Sequence, residues 1–270
     1  MKKASKYFII LSIFTIYACN SSDSKDDKEI EKEYQLVWED EFNEEGKPDA
    51  TKWNYEKGYV RNDEKQYYTE NLKNTRVENG NLILEAHKEE IEGYNYSSGS
   101  ITTSNLEAWQ YGKIEVKAKL PKGVGIWPAI WMLGENWKQV SWPKCGEIDI
   151  MEHVGFTKDS IYGTVHTEAY NHKIGTAVGK AVFINDPYDQ YHIYAVEWTP
   201  EKIDFLLDNV VYHSFKNEYK TDAEWPFDQK FHLKLNIAVG GGWGGAQGID
   251  DSIFPQQMLV DYVRVYQKTN

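Results

Sequence analysis

The amino-acid sequence predicts an all-β fold, an antiparallel β-sandwich or jelly roll. From Tyr34 onward, apolar and polar residues alternate with a period of two almost throughout, as expected for strands with one buried face. Clusters of Gly, Asn and Pro interrupt the pattern at short intervals, and no long amphipathic helix is visible. Because βαβ spacing and a second linker are both missing from the sequence, we predict one domain over residues 34–270.

Residues 1–18 are predicted to be the signal peptide of a lipoprotein. Three lysines precede an apolar run over residues 8–18, which is too short for a membrane-spanning helix of ~20 residues. The run ends in Ile-Tyr-Ala-Cys, which resembles the lipobox of bacterial lipoproteins, and the acylated cysteine would be Cys19. This predicts an exported outer-membrane lipoprotein, displayed on the cell surface or in the periplasm. An ordinary secretory signal is the alternative.

Residues 19–33 are predicted to be a lipidated, disordered, acidic tether. After the cysteine the chain reads NSSDSKDDKEIEKE, which is polar, charged and without hydrophobic periodicity. An acidic stretch directly after a lipidated cysteine resembles the surface-export signal of outer-membrane lipoproteins. A plain spacer is the alternative.

Three segments of the domain show the clearest strand pattern. Residues 113–120, 191–198 and 258–266 alternate between apolar and polar side chains, which predicts half-buried strands. Apolar pairs flank Asp208 and Asn209, a dipeptide that favours a two-residue hairpin turn.

Composition narrows the class of ligand. The chain of 270 residues has 30 Lys and Arg against 42 Asp and Glu, a net charge of −12, and removing the signal peptide with its three lysines lowers this to −15. Such an excess of acid argues against nucleic acid and other polyanions. The 10 Trp and 19 Tyr suit flat ligand-binding faces, which favours neutral sugars. With Cys19 lipidated, Cys145 has no disulfide partner and is interpreted as a small, semi-buried residue.

The segment from Gly146 to His153 carries three closely spaced acids. Glu147 and Asp149 are two residues apart and share one face of a strand. Strict alternation would bury Glu152 in the core at high cost, but one extra residue, most simply Met151, would form a β-bulge and restore its direction. Neighbouring carboxylates cannot all ionise freely, and retaining glycosidases need one ionised and one protonated carboxyl ~5–5.5 Å apart. A solvated acidic face or a calcium site is the alternative.

Four motifs, in order, resemble glycoside hydrolase family 16. EIDIME at 147–152 is similar to the bulged signature of laminarinase-type members, and GIWPAIWML at 125–133 to the family's tryptophan strand. YGTVHT at 162–167 and DYVRVY at 261–266 also fit. The likeness runs from about Trp38 to Tyr266 and implies a jelly-roll sandwich with a concave substrate cleft and a retaining, double-displacement mechanism.

The resemblance implies a role for each acid. Glu147 corresponds to the nucleophile and Glu152 to the general acid/base, and Asp149 lies between them, where its charge and hydrogen bonding would tune both. No cofactor is implied for catalysis.

The resemblance also implies five substrate-binding residues. Trp127 and Trp131 are four apart in an extended segment, so their flat faces can pack on pyranose rings from one side. His166 corresponds to a cleft histidine, Trp243 to a glycine-rich loop at the cleft edge, and Asn62 to a sugar ligand. Core packing is the alternative for the tryptophans, and a core hydrogen bond for the histidine.

Two further features concern metal binding and linkage. Many relatives bind one structural calcium on the convex face, which implies a site formed by the Asp261 side chain and the carbonyls of Glu41 and Gly80; an ordinary hydrogen bond is the alternative for Asp261. Where many relatives have Ser-Gly-Arg, this chain has Ser100 in place of the arginine. The missing arginine puts the outer glycone contacts, and with them the preferred linkage, in doubt.

The leading functional hypothesis is a retaining endo-β-glucanase that acts on laminarin-like β-1,3-glucan, mixed-linkage β-1,3-1,4-glucan, or both. The expected partners are a neutral β-glucan and, through the lipid, a membrane; no nucleic acid partner is expected, and the protein is expected to be a monomer. A non-catalytic surface glycan-binding lipoprotein is one alternative, although it would be expected to have lost an acid. An agar-type galactanase and a transglycosylase are the others, and the acidic charge disfavours the sulfated polymers that the former often cleaves.

Overall fold

A computed structural model of the protein describes residues 33–268. Seventeen strands lie in this range: β1 (Tyr34–Asp40), β2 (Asn54–Tyr55), β3 (Gln66–Tyr68), β4 (Thr75–Glu78), β5 (Asn81–Ile91), β6 (Tyr94–Ser98), β7 (Ser100–Thr102), β8 (Gly112–Lys119), β9 (Ile126–Gly134), β10 (Glu147–Glu152), β11 (Ser160–His166), β12 (Val178–Phe183), β13 (His192–Trp198), β14 (Lys202–Leu207), β15 (Val210–Lys216), β16 (Phe231–Val239) and β17 (Gln256–Lys268). The described helices are short: α1 (Trp137–Val140) and two 3₁₀ helices (His172–Ile174 and Asp251–Ile253). The all-β prediction is confirmed.

The predicted signal peptide, Cys19 and all but the last residue of the predicted tether lie outside the described residues. Within residues 33–268, no helix is long and apolar enough to cross a bilayer.

The strands form two sheets that face each other. The seven-stranded sheet has the order β12-β11-β10-β9-β16-β7-β2, and the ten-stranded sheet follows β15-β14-β13-β8-β17-β5-β6-β3, with β1 beside β17 and β4 beside β5. Every pairing between these strands is antiparallel except that of β3 with β6. Two strands separate β3 from β6 in the chain, so no hairpin dictates their relative direction.

The core lies between the sheets and follows the predicted alternation. On β8, Ile114, Val116 and Ala118 are fully buried; the three lysines of the strand are partly exposed, and Glu115 is buried. The three strands predicted from alternation are observed within two residues of their expected bounds. The predicted hairpin joins β14 to β15, with positive φ values of 49° and 65° at Asp208 and Asn209 that a type I′ turn requires.

The predicted β-bulge on β10 is present, one residue earlier than expected. Asp149 lies opposite Trp131 of β9 and Met151 lies opposite the next residue, Ile130, so Ile150 is the extra residue, not Met151. Both Ile150 and Met151 are buried in the core. The alternation of side chains reveals that an extra residue is needed, but the hydrogen-bond ladder with β9 decides which residue it is.

Cys145 is a free thiol and is fully buried, not semi-buried as the sequence indicated. It packs against Ala129, Trp131 and Leu133 of β9. Burial raises the pKa of its thiol to about 12, so the group stays protonated and is not a nucleophile.

Candidate active site

A cleft of about 820 Å³ lies on the outer face of the seven-stranded sheet. Trp131 of β9 and Lys234 of β16 line it and lie opposite each other, and Asp149 of β10 lies opposite Trp131 on the other side. Two residue pairs further along, Glu147 lies opposite Leu133. Because side chains two residues apart share a face, β10 presents both Glu147 and Asp149 to this side of the sheet.

The bulge brings Glu152 back to the face that holds the other two acids. Its carboxylate accepts a hydrogen bond of 3.0 Å from the indole Nε1 of Trp127. One oxygen of Glu147, one of Asp149 and a ring nitrogen of His166 lie within 4.8 Å of one another. The geometry therefore assembles three carboxyl groups and an imidazole on one surface.

The three carboxyl groups differ in electrostatic environment. Burial, reinforced by the charge of Glu147, raises the pKa of Glu152 to about 8. Burial also raises the pKa of Glu147, to about 7, against the opposing charges of Arg61 and Lys234 and a hydrogen bond from Trp142. The charges of Arg61 and Lys234 oppose the effect of burial at Glu147, whereas no cation does so at Glu152, and this difference has the direction that a nucleophile and a general acid require.

Asp149 is the most deeply buried of the three acids, with 3% of its surface exposed. Burial and the charges of Glu147 and Glu152 raise its pKa well above the usual range. Its Oδ2 lies 3.4 Å from His166 Nε2. A protonated Asp149 between two glutamates can donate a hydrogen bond to a neighbouring carboxylate.

His166 is neutral near pH 7, because burial and the neighbouring His172 lower its pKa to about 4. Its Nε2 lies 3.9 Å from Glu147 and its ring contacts that of Trp142, with centroids 5.9 Å apart. Among the described residues, only His166 with Glu147 and Asp149 shows metal-like spacing. Because buried carboxyls suit proton and glycosyl transfer, we assign these three residues to catalysis and not to metal binding.

Trp243 and Trp127 form an aromatic wall beside Glu152. Their rings meet edge to face at 5.7 Å, and Tyr162 meets Trp243 at 4.9 Å. The glycine-rich loop permits this approach, because a Cβ on Gly244 would come within 2.8 Å of the Trp127 Cβ. Trp127 therefore contacts the predicted general acid directly, and Trp243 packs against Trp127.

The structure places Trp131 differently from the expectation of an open stacking face. Its indole Nε1 donates a 2.8 Å hydrogen bond to Asn236, and the residue is only 8% exposed. The Arg61 guanidinium and the Lys234 ammonium lie 4.9 and 4.6 Å from its ring centroid. The indole therefore supports two cations in the cleft, in cation–π contact.

Sequence reasoning missed the ion cluster formed by Glu56, Arg61 and Lys234. Glu56 receives N–H groups from Arg61 and a 2.6 Å hydrogen bond from Lys234 Nζ. The one available signal was Lys234 itself, a charged residue in the largely apolar segment FHLKLNIAV. Lysine is seldom buried without a partner, and this one indicates a polar surface above β16.

A guanidinium is present near Ser100 despite the missing arginine. Ser100 Oγ donates a 2.8 Å hydrogen bond to Glu56, the carboxylate that Arg61 also binds. Arg61 precedes Asn62, which is exposed and lines the same cleft. The loop before β3 thus carries both a guanidinium and the predicted sugar ligand to the cleft.

The residues predicted to bind calcium lie on or next to neighbouring strands of the ten-stranded sheet. Glu41 follows β1, Gly80 precedes β5, and Asp261 lies on β17, which pairs with both. The Asp261 carboxylate is 2.7 Å from Lys117 Nζ, and the Glu41 carboxylate accepts two hydrogen bonds from Arg264. The donor chemistry suits calcium, but a metal at Asp261 would have to displace the Lys117 ammonium.

Comparisons with known proteins agree with this geometry. The profile of glycosyl hydrolases family 16 matches residues 62–264. A β-glucanase of Rhodothermus marinus is 50% identical over 244 residues, which cover 87% of this chain and 85% of that protein. The X-ray structure of the laminarinase from Rhodothermus marinus superposes with a TM-score of 0.86 at 47% identity, covering 88% of this chain and 99% of that one. A non-specific endo-β-1,3(4)-glucanase from the same family, SCLam, superposes with a TM-score of 0.83 at 48% identity, covering 87% and 92%.

Proposed function

The chain belongs to glycosyl hydrolases family 16, and we propose that it is a retaining endo-β-glucanase that cleaves laminarin-like β-1,3-glucan, with mixed-linkage β-1,3-1,4-glucan as a second substrate. One observation carries the chemistry: a bulged strand aims Glu147, Asp149 and Glu152 at one surface, where burial raises the pKa of both glutamates and nearby cations oppose that rise at Glu147. The names of similar proteins, a laminarinase and an endo-β-1,3(4)-glucanase, support the choice of glucan.

The reaction proceeds in two steps. Glu147 attacks the anomeric carbon and forms a covalent glycosyl-enzyme, while Glu152 gives its proton to the leaving glycosidic oxygen. Glu152, now ionised, takes a proton from water, which displaces Glu147 and releases the sugar with retained configuration. The Trp127 hydrogen bond orients Glu152 during both transfers.

Release of reducing ends from laminarin, barley mixed-linkage glucan and agarose, with sizing of the products, tests this proposal. We expect short oligosaccharides from laminarin, a smaller yield from mixed-linkage glucan, and none from agarose. Products from agarose alone would assign a galactanase. Binding to a glucan without any product would assign a glycan-capture protein despite its three acids.

The location of the enzyme is also part of the proposal. The lipobox-like sequence before Cys19 and the acidic stretch after it support anchoring in the outer membrane as a lipoprotein. Incorporation of labelled palmitate that is lost in Cys19→Ala is the expected result. An unlabelled, cleaved protein would indicate an ordinary secretory signal.

We further propose one structural calcium ion bound by the Asp261 side chain and the carbonyls of Glu41 and Gly80. A ligand at 100 times its Kd stabilises the folded state by ~2.7 kcal/mol, which for a domain of this size raises Tm by about 5–10 °C. Calcium is therefore expected to raise the Tm of the wild type above its value in EGTA, and to have no effect on Asp261→Asn. The exposed Asp251→Asn is the matched control and should respond like the wild type. An unchanged wild-type Tm would exclude the site.

A further inference from the structure

The ion cluster of Glu56, Arg61 and Lys234 carries an excess positive charge inside an acidic protein. Two cations share one carboxylate, and the three side chains are only 13%, 19% and 9% exposed. Glu56 is further held by the Ser100 hydroxyl. Charges with so little access to water are weakly screened, so their effect reaches neighbouring groups.

The cluster lies on the Glu147 side of the reaction centre. Lys234 and Arg61 cover the ring of Trp131, and Trp131 lies directly opposite Asp149 on the adjacent strand. Adjacent strands are ~4.8 Å apart, so the Lys234 backbone is two strand spacings from β10. Arg61, Lys234 and Glu147 all line the same cleft.

Glu152 has different surroundings. Its hydrogen-bond donor is the neutral indole of Trp127, which packs against Trp243. Burial therefore acts on both glutamates, whereas a cationic cluster opposes its effect at Glu147 only.

We propose that Arg61 and Lys234 are positioning residues whose charge, held against Trp131 by Glu56, favours the carboxylate form of Glu147 and so makes it the nucleophile and Glu152 the acid. This inference rests on the proposed glucanase function. It is consistent with the pKa of Glu147, which burial raises and which the charges of Arg61 and Lys234 lower more than any other group does. It also gives a functional reason for the burial of the Lys234 ammonium, which costs free energy.

Other charged and titratable groups surround Glu147, and they define the controls. Two of these groups, Asp149 and Glu152, are on β10. His166 is on β11, and His172 and Lys173 lie in the segment that follows β11. The remaining groups near Glu147 are Cys145, His232 and Glu135. His166 and His232 are neutral near pH 7, because burial lowers the pKa of His166 to about 4 and that of His232 to about 3. Arg61 and Lys234 are therefore the deeply buried cations on this side of the site.

The dependence of kcat/KM on pH for a soluble laminari-oligosaccharide tests the inference. The acid limb reports ionisation of Glu147 and the basic limb ionisation of Glu152. Removing a nearby positive charge raises the pKa of a carboxyl, so Lys234→Met and Arg61→Met should move the acid limb to higher pH by on the order of half a unit to one unit. The basic limb should stay in place, and Lys234→Arg, which keeps the charge, should preserve the wild-type acid limb. Glu56→Gln, which removes the opposing charge, should move it to lower pH.

A second measurement reads the same ionisation without turnover. Titration of ¹³C-labelled glutamate by NMR, with the Glu147 signal assigned by its loss in Glu147→Gln, should give a higher pKa in Lys234→Met than in the wild type. An unchanged titration in a folded variant would overturn the inference, as would equal pH shifts in Lys234→Arg and Lys234→Met. A wild type that cleaves no glucan would refute the proposed function, while the NMR titration would still decide the effect of the cations.

Discussion

Replacing Glu147 by Gln is expected to lower kcat/KM on laminarin by on the order of 10⁴-fold or more. The amide cannot form the glycosyl-enzyme, and no other carboxyl on β10 lies in its place to do so. Because Gln is nearly isosteric with Glu, the fold and the affinity for glucan should change little. Reducing-end assays measure the loss, and titration calorimetry with a laminari-oligosaccharide measures the retained binding.

Glu218→Gln provides the matched control for this variant. Glu218 is exposed and pairs with Lys220 at the surface, so the same chemical change there should leave turnover unchanged. Near-wild-type turnover in Glu147→Gln would show that the nucleophile is assigned to the wrong residue. Loss of both turnover and binding would indicate that the substitution had disturbed the cleft instead.

Replacing Glu152 by Ala is expected to lower turnover of glucan by ~10²–10⁴-fold, the usual contribution of a general acid/base. With a dinitrophenyl laminaribioside, whose leaving group needs no proton, the first step should survive and the glycosyl-enzyme should accumulate. Azide needs no general base and should then attack the anomeric carbon, so its addition should restore turnover. The expected product is the β-glycosyl azide, since two inversions retain the configuration.

The azide experiment separates the two glutamates. Glu147→Gln in the same assay should show no β-glycosyl azide, because no covalent intermediate forms. Failure of azide to rescue Glu152→Ala, despite an activated leaving group, would contradict its role as acid/base. Formation of the α-glycosyl azide would instead indicate direct displacement, the outcome expected when the nucleophile rather than the acid/base has been lost.

The sequence was sufficient to predict the fold class and the identity of the acid-bearing strand. Period-two alternation is a local property, because each side chain's direction on a strand follows from its position alone. It also predicted a bulge, since Glu152 would otherwise enter the core. It did not predict that Ile150 is the extra residue, because the ladder between β9 and β10 involves residues that are distant in sequence.

The environment of Trp131 shows the same limit at the site. The motif at 125–133 predicted that this tryptophan faces the cleft, and it does line it. That its ring lies under Arg61 and Lys234 depends on a loop and a strand more than 170 residues apart, brought together through Glu56. No local pattern links these positions, so the cationic cluster was absent from the sequence-based prediction.

By itself, then, the sequence determined which faces are buried, where the carboxylates lie along the chain, and which family they resemble, because these properties depend on neighbouring residues. Only the tertiary structure decided the electrostatics of the site. The pKa of each glutamate depends on its burial and on nearby charges, and the cations beside Glu147 and the indole beside Glu152 come from other strands and loops. Chain folding brings these groups close to β10, and the distance of each group from a carboxyl sets how strongly it acts on that carboxyl.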